Sequence, residues 1–161
     1  MLTKNNKKAP SNFEGASFFF LENHKTPNSC AELIGLSTFL KPESQDDIRL
    51  QLRKFLETHQ LSEKDIDFVI LGLNGDPRTD HIYHKFIETG FPNTAIGYFK
   101  HLCGEYHTAS AFATWLAAMI LKTQTVPGVT RFKLVPGRLE RILIYNHFQG
   151  NNHSFILLTR P

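Results

Sequence analysis

The sequence has few of the features that mark secreted, membrane-spanning or nucleic-acid-binding proteins. It holds two cysteines, Cys30 and Cys103, which allow at most one disulfide and favour free thiols in a reducing compartment. Residues 1–10 are polar and lysine-rich, without the apolar core of a signal peptide, and no apolar run reaches the length of a bilayer span. The net charge of +3 is small and its basic residues are scattered, which argues against nucleic acid as a partner. These absences predict a cytoplasmic protein that binds neither membrane nor nucleic acid.

What is present is typical of one globular domain. The chain has 161 residues, 41% of them apolar and 20% charged, which suffices for a single domain with its own core. We expect residues 1–12 to form a disordered or remnant arm and residues 13–161 to form the domain. A strand is predicted at Ser17–Leu21, where Phe18-Phe19-Phe20 is so apolar that a partner must cover it if this chain does not.

Apolar runs and helical periodicity alternate along the rest of the chain. One helix is predicted at Asp46–His59 with Ser44 as its N-cap, and another at about Asp80–Thr89, ended by Gly90. Further strands are predicted at Cys30–Leu36, Asp67–Leu71, Ala95–Phe99, Arg141–Tyr145 and Ser154–Leu158, with a loop over residues 122–140 and a connection at Asn146–His153. Strands that alternate with helices predict an α/β fold.

The chain is organised around residues 95–115, with a helix that continues to residue 121. They read as a buried strand, a polar turn, and a helix over residues 109–121 that is apolar nearly all round and therefore belongs in a protein interior. α/β folds commonly place their sites where the carboxyl end of a strand faces the start of a helix. A site is therefore predicted in this turn, where the polar residues are Lys100, His101, Cys103, Glu105 and His107.

Several segments resemble the β-ketoacyl-acyl-carrier-protein synthases. Lys100-x-x-x-Gly104-Glu105, followed by a small-residue helix, is similar to the Lys-x-x-x-Gly-His segment of that family. Residues 13–16, 21–22 and 31–35 match, in order, a family segment with Gly-Glu-Gly-Ala, Leu-Glu and Ala-Glu-(hydrophobic)2-Gly. Residues 146–152 are loosely similar to the family's Asn- and Gly-rich loop between its last two strands. The resemblance implies the C-terminal half of a thiolase-like fold, a five-stranded mixed sheet with helices on its faces.

The same resemblance implies a degenerate catalytic centre. Family members load an acyl chain on a cysteine at a helix N-terminus, and two histidines support decarboxylation and the developing oxyanion. By the spacing to Pro77 and Asp80, Gly72 stands at the first histidine, and Glu105 stands at the second. The nucleophilic cysteine belongs to the half upstream of Phe13, which has no counterpart in this sequence.

Carried over position by position, the resemblance implies two groups of site residues. The candidates for catalysis are Lys100, Glu105 and His107. The candidates for substrate binding are Asn74, Asp80, Phe148 and Asn152, with Phe148 near the family's gating phenylalanine.

Each of these candidates also has a local interpretation. Cys103, just before a helix, would have a stabilised thiolate and is the alternative nucleophile, although the family has an ordinary small residue there. Glu105 in the first turn of a helix would interact favourably with its dipole, and Lys100 is expected to pair with Glu105 or Asp80. His107 is either a displaced general base or a capping or buried structural histidine.

No metal or cofactor is predicted. Asp80 and His84 are four residues apart, as are Cys103 and His107. Neither spacing is a specific metal signature.

The resemblance leaves different classes of function open. One is a synthase-like subunit of fatty acid or polyketide biosynthesis that is inactive alone and accompanies a partner synthase and an acyl carrier protein. Another is an acyltransferase completed by a partner or an upstream segment, and a third is a small-molecule or acyl-binding module. In each case the apolar first strand predicts self-association or a partner.

Overall fold

A computed structural model describes residues 15–133 and 137–161. The strands are β1 (Glu32–Leu40), β2 (Phe68–Leu71), β3 (Ala95–Tyr98), β4 (Arg131–Lys133), β5 (Arg141–Phe148) and β6 (Asn152–Thr159). The helices are α1 (Gln45–Thr58), α2 (Pro77–Gly90), the single turn α3 (Lys100–Cys103) and α4 (Ala109–Thr123), with short 3-10 turns at Glu63–Asp65 and Gly128–Thr130. None of the helices in these two ranges has the length and hydropathy needed to cross a bilayer.

The strands form one mixed sheet in the order β1-β6-β5-β2-β3-β4. β5, β2 and β3 are parallel, while β1, β6 and β4 run antiparallel to their neighbours. The predicted α/β class and mixed sheet are confirmed, but the sheet has six strands and not five. The extra strand is β4, which lies in the stretch predicted as a loop; it has only three residues, fewer than the about four to eight over which alternation predicts a strand.

The sheet is covered on both faces, which gives three layers. Phe68 and Ile70 of β2 pack with α4, whereas Val69 and Leu71 pack with α1 and α2. All four are completely buried, because successive side chains of a strand point to opposite faces. This explains why β2 reads as a continuous apolar run.

Local sequence signals set the starts of α1 and α2, the two helices that pack on the same face of the sheet. Ser44 caps α1 as predicted, accepting a hydrogen bond from the Asp47 backbone while the Asp47 carboxylate accepts one from Ser44. α2 starts three residues earlier than predicted, because Asp76 caps it and Pro77 suits the first helical position. Gly90 is the last residue of α2, and the cap is Phe91.

The strand predicted at Ser17–Leu21 is wrong. This segment, here called the extended segment, has no strand or helix assignment and pairs with no strand among the described residues. Phe18 and Phe20 are 93% and 89% exposed. A strand needs a neighbour for its hydrogen bonds, and no strand of residues 15–133 and 137–161 lies beside this segment. The arm predicted at residues 1–12 lies outside the described residues, and the strand predicted at Cys30–Leu36 starts two residues later as β1.

The connection predicted at Asn146–His153 is shorter in the structure. β5 continues to Phe148 and β6 begins at Asn152, which leaves a three-residue turn. Gln149 and Gly150 adopt positive φ angles of 51° and 69° there, a conformation that glycine tolerates readily. Phe148 and Asn152 therefore lie on strands rather than on a loop.

Candidate functional site

The polar residues singled out from the sequence meet at the carboxyl ends of β2 and β3. Lys100 starts α3 directly after β3, and its side chain is 1% exposed. Its Nζ donates to both oxygens of Glu105, at 2.9 and 2.7 Å, and to the carbonyl oxygen of His147 at 3.0 Å. A lysine ammonium has three hydrogens to donate, so these contacts use its full capacity.

Asn74 joins this ion pair to Asp80. Its Nδ2 donates to Glu105 Oε2 at 2.8 Å, and its backbone amide donates to Asp80 Oδ1 at 3.2 Å. The backbone amide of Gly75 donates to Asp80 Oδ2 at 2.8 Å. Four of the predicted site residues thus form one connected network, with Asp80 holding the loop after β2 in place.

Burial shifts the pKa values of the groups at the two ends of this network, Lys100 and Asp80. Removal from water lowers the pKa of Lys100, although the Glu105 carboxylate beside it acts in the opposite direction. Burial also raises the pKa of Asp80, against the two backbone amides that stabilise its charged form. The ammonium therefore depends on Glu105 to remain charged inside the protein.

The space at Gly72 is already filled. A Cβ added at this glycine would overlap Asn146 Oδ1 and lie 2.5 Å from the Tyr83 hydroxyl and 3.0 Å from Lys100 Cε. Such separations are far shorter than ordinary non-bonded contacts. The position that the resemblance aligns with the first catalytic histidine therefore takes a side chain only if the surrounding side chains move.

A cluster of buried aromatic and histidine side chains next to this network was missed from the sequence. Tyr83 of α2 stacks on His147, with ring centroids 4.2 Å apart, and its hydroxyl accepts from the His147 backbone amide at 2.9 Å. His153 Nε2 donates to the carbonyl oxygen of Gly150 at 3.0 Å, so its Nδ1 accepts from the Tyr145 hydroxyl at 2.9 Å. The sequence signal that could have revealed this cluster is the two-residue spacing of Tyr145 and His147. That spacing continues the alternation of β5 and places both side chains on one face of the strand.

We expect this cluster to make the fold sensitive to mild acid. Burial, with Lys100 and His153 nearby, lowers the pKa of His147 to about 3, and burial also lowers the pKa of His153. Below the ordinary value near 6.5 the unfolded chain binds protons that the folded chain does not, so stability falls as the pH falls from 6.5 toward 3. His147 alone accounts for a loss of about 2 kcal/mol between pH 7 and pH 5.

Urea denaturation at pH 7 and pH 5 measures this loss. In the His147→Gln variant the difference between the two pH values is expected to shrink. An equal difference in both proteins would show that His147 is not responsible.

His107, Phe148 and Asn152 lie outside the Lys100 network. His107 is exposed and its ring centroid is 4.5 Å from that of Phe148. The expected cap or buried role for His107 is wrong, because Thr108 is the N-cap of α4 and makes no side-chain cap bond. Asn152 is exposed and lies opposite Phe148 in the β5–β6 register. The structure thus brings these three together at the hairpin, where His147, the residue before Phe148, accepts from Lys100.

The expected helix-start positions of Cys103 and Glu105 are also wrong. Cys103 is the last residue of α3, is 4% exposed, and burial raises the pKa of its thiol. A buried neutral thiol is a poor nucleophile. Glu105 lies in the loop before Thr108, so it does not lie in the first turn of α4. Its structural partner is the Lys100 ammonium instead of the helix dipole.

Two features singled out from the sequence remain: the second cysteine, and the residue pairs whose spacing was compared with metal sites. Cys30 is half-buried two residues before β1, with its Sγ 3.6 Å from Lys122 Nζ. Among residues 15–133 and 137–161, no three His, Cys, Asp or Glu side chains come together in a way that could hold a metal ion.

Comparison with known proteins places this arrangement in a fold. No model of a protein family and no curated protein matches the sequence. The solved ishigamide ketosynthase/chain length factor matches at a TM-score of 0.68 and 16% identity, over 82% of this chain and 38% of that chain. A structure of a type II polyketide synthase acyl-carrier protein with its ketosynthase matches at a TM-score of 0.64 and 14% identity. The match covers 82% of this chain and 39% of that chain.

A modular enzyme gives the same result. The ketosynthase from module 6 of the bacillaene synthase of Bacillus subtilis 168 matches at a TM-score of 0.63 and 17% identity, over 82% of this chain and 31% of that chain. The resemblance stated from the sequence is thus confirmed at the level of the fold. This chain has the thiolase-like fold of the ketosynthases, and it spans less than two fifths of the length of each of the three chains described above.

Proposed function

We propose that this chain is a ketosynthase-like companion half that performs no condensation by itself. It would act in fatty acid or polyketide-type biosynthesis, in the cytoplasm, beside a complementary half supplied by a partner polypeptide or by a further segment. The observation that carries the proposal is the closed Lys100–Glu105 pair beside a Gly72 position that has no free space.

The ion pair engages two of the three candidate catalytic residues with each other. All three ammonium hydrogens of Lys100 point to acceptors, and Glu105 receives Lys100 on both oxygens and Asn74 on one of them. A general base must be able to accept a proton from a substrate. Protonating Glu105 would leave the buried Lys100 charge without its partner, which is costly.

The surface on the α4 side of the sheet supports the need for a second half. Trp115 of α4 is 45% exposed, and its ring lies 5.4 Å from that of Phe112, although the helix sequence is apolar on nearly every side. The residues on either side of the extended segment contact the α4 side of the sheet: Gly15 lies against Tyr106 before α4, and Cys30 contacts Lys122 near the end of α4. An apolar surface of this kind marks an interaction site.

The partners of the matched structures indicate which partners to test. Those structures include a ketosynthase paired with a chain length factor and a ketosynthase in complex with an acyl-carrier protein. For this chain we therefore propose a synthase-like subunit and an acyl carrier protein as partners. Phe148, His107, Asn152 and the Glu105 side chain, which is 17% exposed, would face the acyl pocket of that assembly.

The alternative is an acyltransferase whose nucleophile comes from the complementary half. The partial exposure of Glu105 at the carboxyl ends of the parallel strands favours it. In that case Glu105 and Asn74, held in place by Lys100, would contact the substrate or the partner's catalytic group.

Co-expression with a ketosynthase-like subunit of the same source tests the companion role. We expect a stable complex, measured by light scattering, that Phe20→Asp in the extended segment abolishes. Leu50→Asp is the matched control, because Leu50 is 49% exposed on α1, on the opposite face of the sheet. A complex that survives Phe20→Asp, or no complex with the natural chain, would contradict the proposal.

A further inference from the structure

The loop after β2 contains the dipeptide Asn74-Gly75, the sequence at which asparagine deamidates most readily. In this reaction the backbone nitrogen of the following residue attacks the side-chain carbonyl carbon of asparagine. Glycine favours the attack because it has no side chain in the way and its backbone reaches conformations that other residues rarely adopt. Gly75 has such a conformation, with a φ angle of 87°, and a Cβ added to it would meet nothing within 4 Å. The sequence and the open space beside Gly75 both indicate a site of modification.

Hydrogen bonds hold each group that this reaction needs. Asn74 Nδ2, the leaving nitrogen, donates to Glu105 Oε2 at 2.8 Å, and Asn74 Oδ1 accepts from the backbone amide of Asp76 at 2.9 Å. The attacking nitrogen of Gly75 donates to Asp80 Oδ2 at 2.8 Å. Rotation of the Asn74 side chain therefore breaks two hydrogen bonds, and loss of the Gly75 amide proton breaks a third.

Charge also opposes the reaction while the loop is closed. The attacking nitrogen becomes negative when it loses its proton, and the Asp80 carboxylate beside it disfavours a second negative charge. Lys100 Nζ donates to both oxygens of Glu105 and so fixes the acceptor of the Asn74 amide. Hydrogen bonds to charged groups are stronger than bonds between neutral groups. Deamidation is therefore confined to molecules in which this loop has opened locally.

We propose that Asn74 is a site of spontaneous deamidation that the closed Lys100 network suppresses, and that the modified chain cannot rebuild this network. The Gly75 nitrogen forms a bond to Asn74 Cγ, the Cγ–Nδ2 bond breaks, and Nδ2 leaves as ammonia with the proton that Gly75 gave up. Water then opens the cyclic imide at either carbonyl carbon and leaves aspartate or isoaspartate at position 74. Water is the only co-reactant, and the inference does not depend on the proposed function.

The product makes an opening of the loop permanent. Where Asn74 Nδ2 donates to Glu105, the aspartate product has a carboxylate oxygen, and two carboxylates in contact repel each other. Lys100 cannot bridge them without giving up a bond, because its three hydrogens already have acceptors. Each carboxylate raises the pKa of the other, so the repulsion is largest at neutral pH and decreases when a proton binds at lower pH.

Peptide mass spectrometry of the natural chain and of Asp80→Ala after incubation at pH 8 tests the suppression. Asp80→Ala releases the Gly75 amide, and we expect position 74 to deamidate about tenfold faster in this variant. Asn28, which is exposed and precedes Ser29, is the internal reference and should react at the same rate in both chains. Equal rates at position 74 in the two chains would overturn the proposal.

Two controls separate local opening from global unfolding. Leu121→Ala removes a fully buried side chain near the end of α4 and should leave the rate at position 74 unchanged while the chain stays folded. In concentrated urea the natural chain should deamidate faster at position 74 than it does when folded. An acceleration by Leu121→Ala equal to that by Asp80→Ala, or equal rates in the folded and unfolded natural chain, would overturn the proposal.

The variant Asn74→Asp tests the consequence of the reaction. It reproduces the aspartate product, and its urea midpoint at pH 7 should lie below that of the natural chain, by an amount that decreases at pH 5. Asn28→Asp, the exposed control, should leave the midpoint unchanged at both pH values. An Asn74→Asp chain as stable as the natural one at pH 7 would overturn the proposal.

Discussion

Replacing Glu105 with glutamine is expected to lower the free energy of unfolding by about 3–5 kcal/mol. The substitution keeps the shape of the side chain but leaves the Lys100 ammonium, 1% exposed, without a counter-charge. The His147 carbonyl oxygen at 3.0 Å cannot neutralise it. Urea denaturation of the natural chain and the variant at pH 7 measures the loss.

A double variant separates the ion pair from the packing around it. Lys100→Met with Glu105→Leu removes both charges, and we expect it to recover much of the stability that Glu105→Gln loses. Arg78→Ala, which breaks the exposed Asp76–Arg78 pair, should leave the unfolding midpoint nearly unchanged. A Glu105→Gln chain as stable as the natural one would refute a structural role for the pair.

Placing histidine at Gly72 should destabilise the fold rather than restore a catalytic group. Even Gly72→Ala is expected to cost about 1–3 kcal/mol, because its Cβ would overlap Asn146 Oδ1 and crowd the Tyr83 hydroxyl. Gly72→His adds a ring to the same filled space and should cost more. Thermal unfolding of both variants measures the order of these effects.

A compensating variant identifies the cause. Asn146→Ala removes the oxygen nearest to the added Cβ. The double variant Gly72→Ala with Asn146→Ala should therefore lose less stability than the sum of the losses measured for the two single variants. Strict additivity would show that the two side chains do not compete for this space. An undiminished stability of Gly72→His would show that the pocket can open.

The sequence predicted the parts of the fold that depend on local patterns. Phe68–Leu71 is apolar throughout because it is a parallel strand buried on both faces, and Ser44 caps α1 with bonds inside its own first turn. Lys100 was expected to pair with Glu105 or Asp80, and its partner in the structure is Glu105. Such features require no knowledge of distant residues.

The parts that failed depend on distant or missing neighbours. β4 is defined by its pairing with β3, and nothing in Arg131–Lys133 itself marks a strand. The extended segment has strand-like composition but no neighbouring strand among the described residues. The filling of the Gly72 site by Asn146 and Tyr83 joins three separate segments, which no spacing along the chain reveals.

The most direct test of the central claim is the intact mass of the chain after incubation with malonyl- or medium-chain acyl-loaded carrier protein. The measurement is made on the chain alone and in complex with a ketosynthase-like subunit. A companion half predicts no adduct on this chain in either sample and an acylated partner in the complex. A thioester on Cys103 would contradict the account and identify an acyltransferase with a relocated nucleophile.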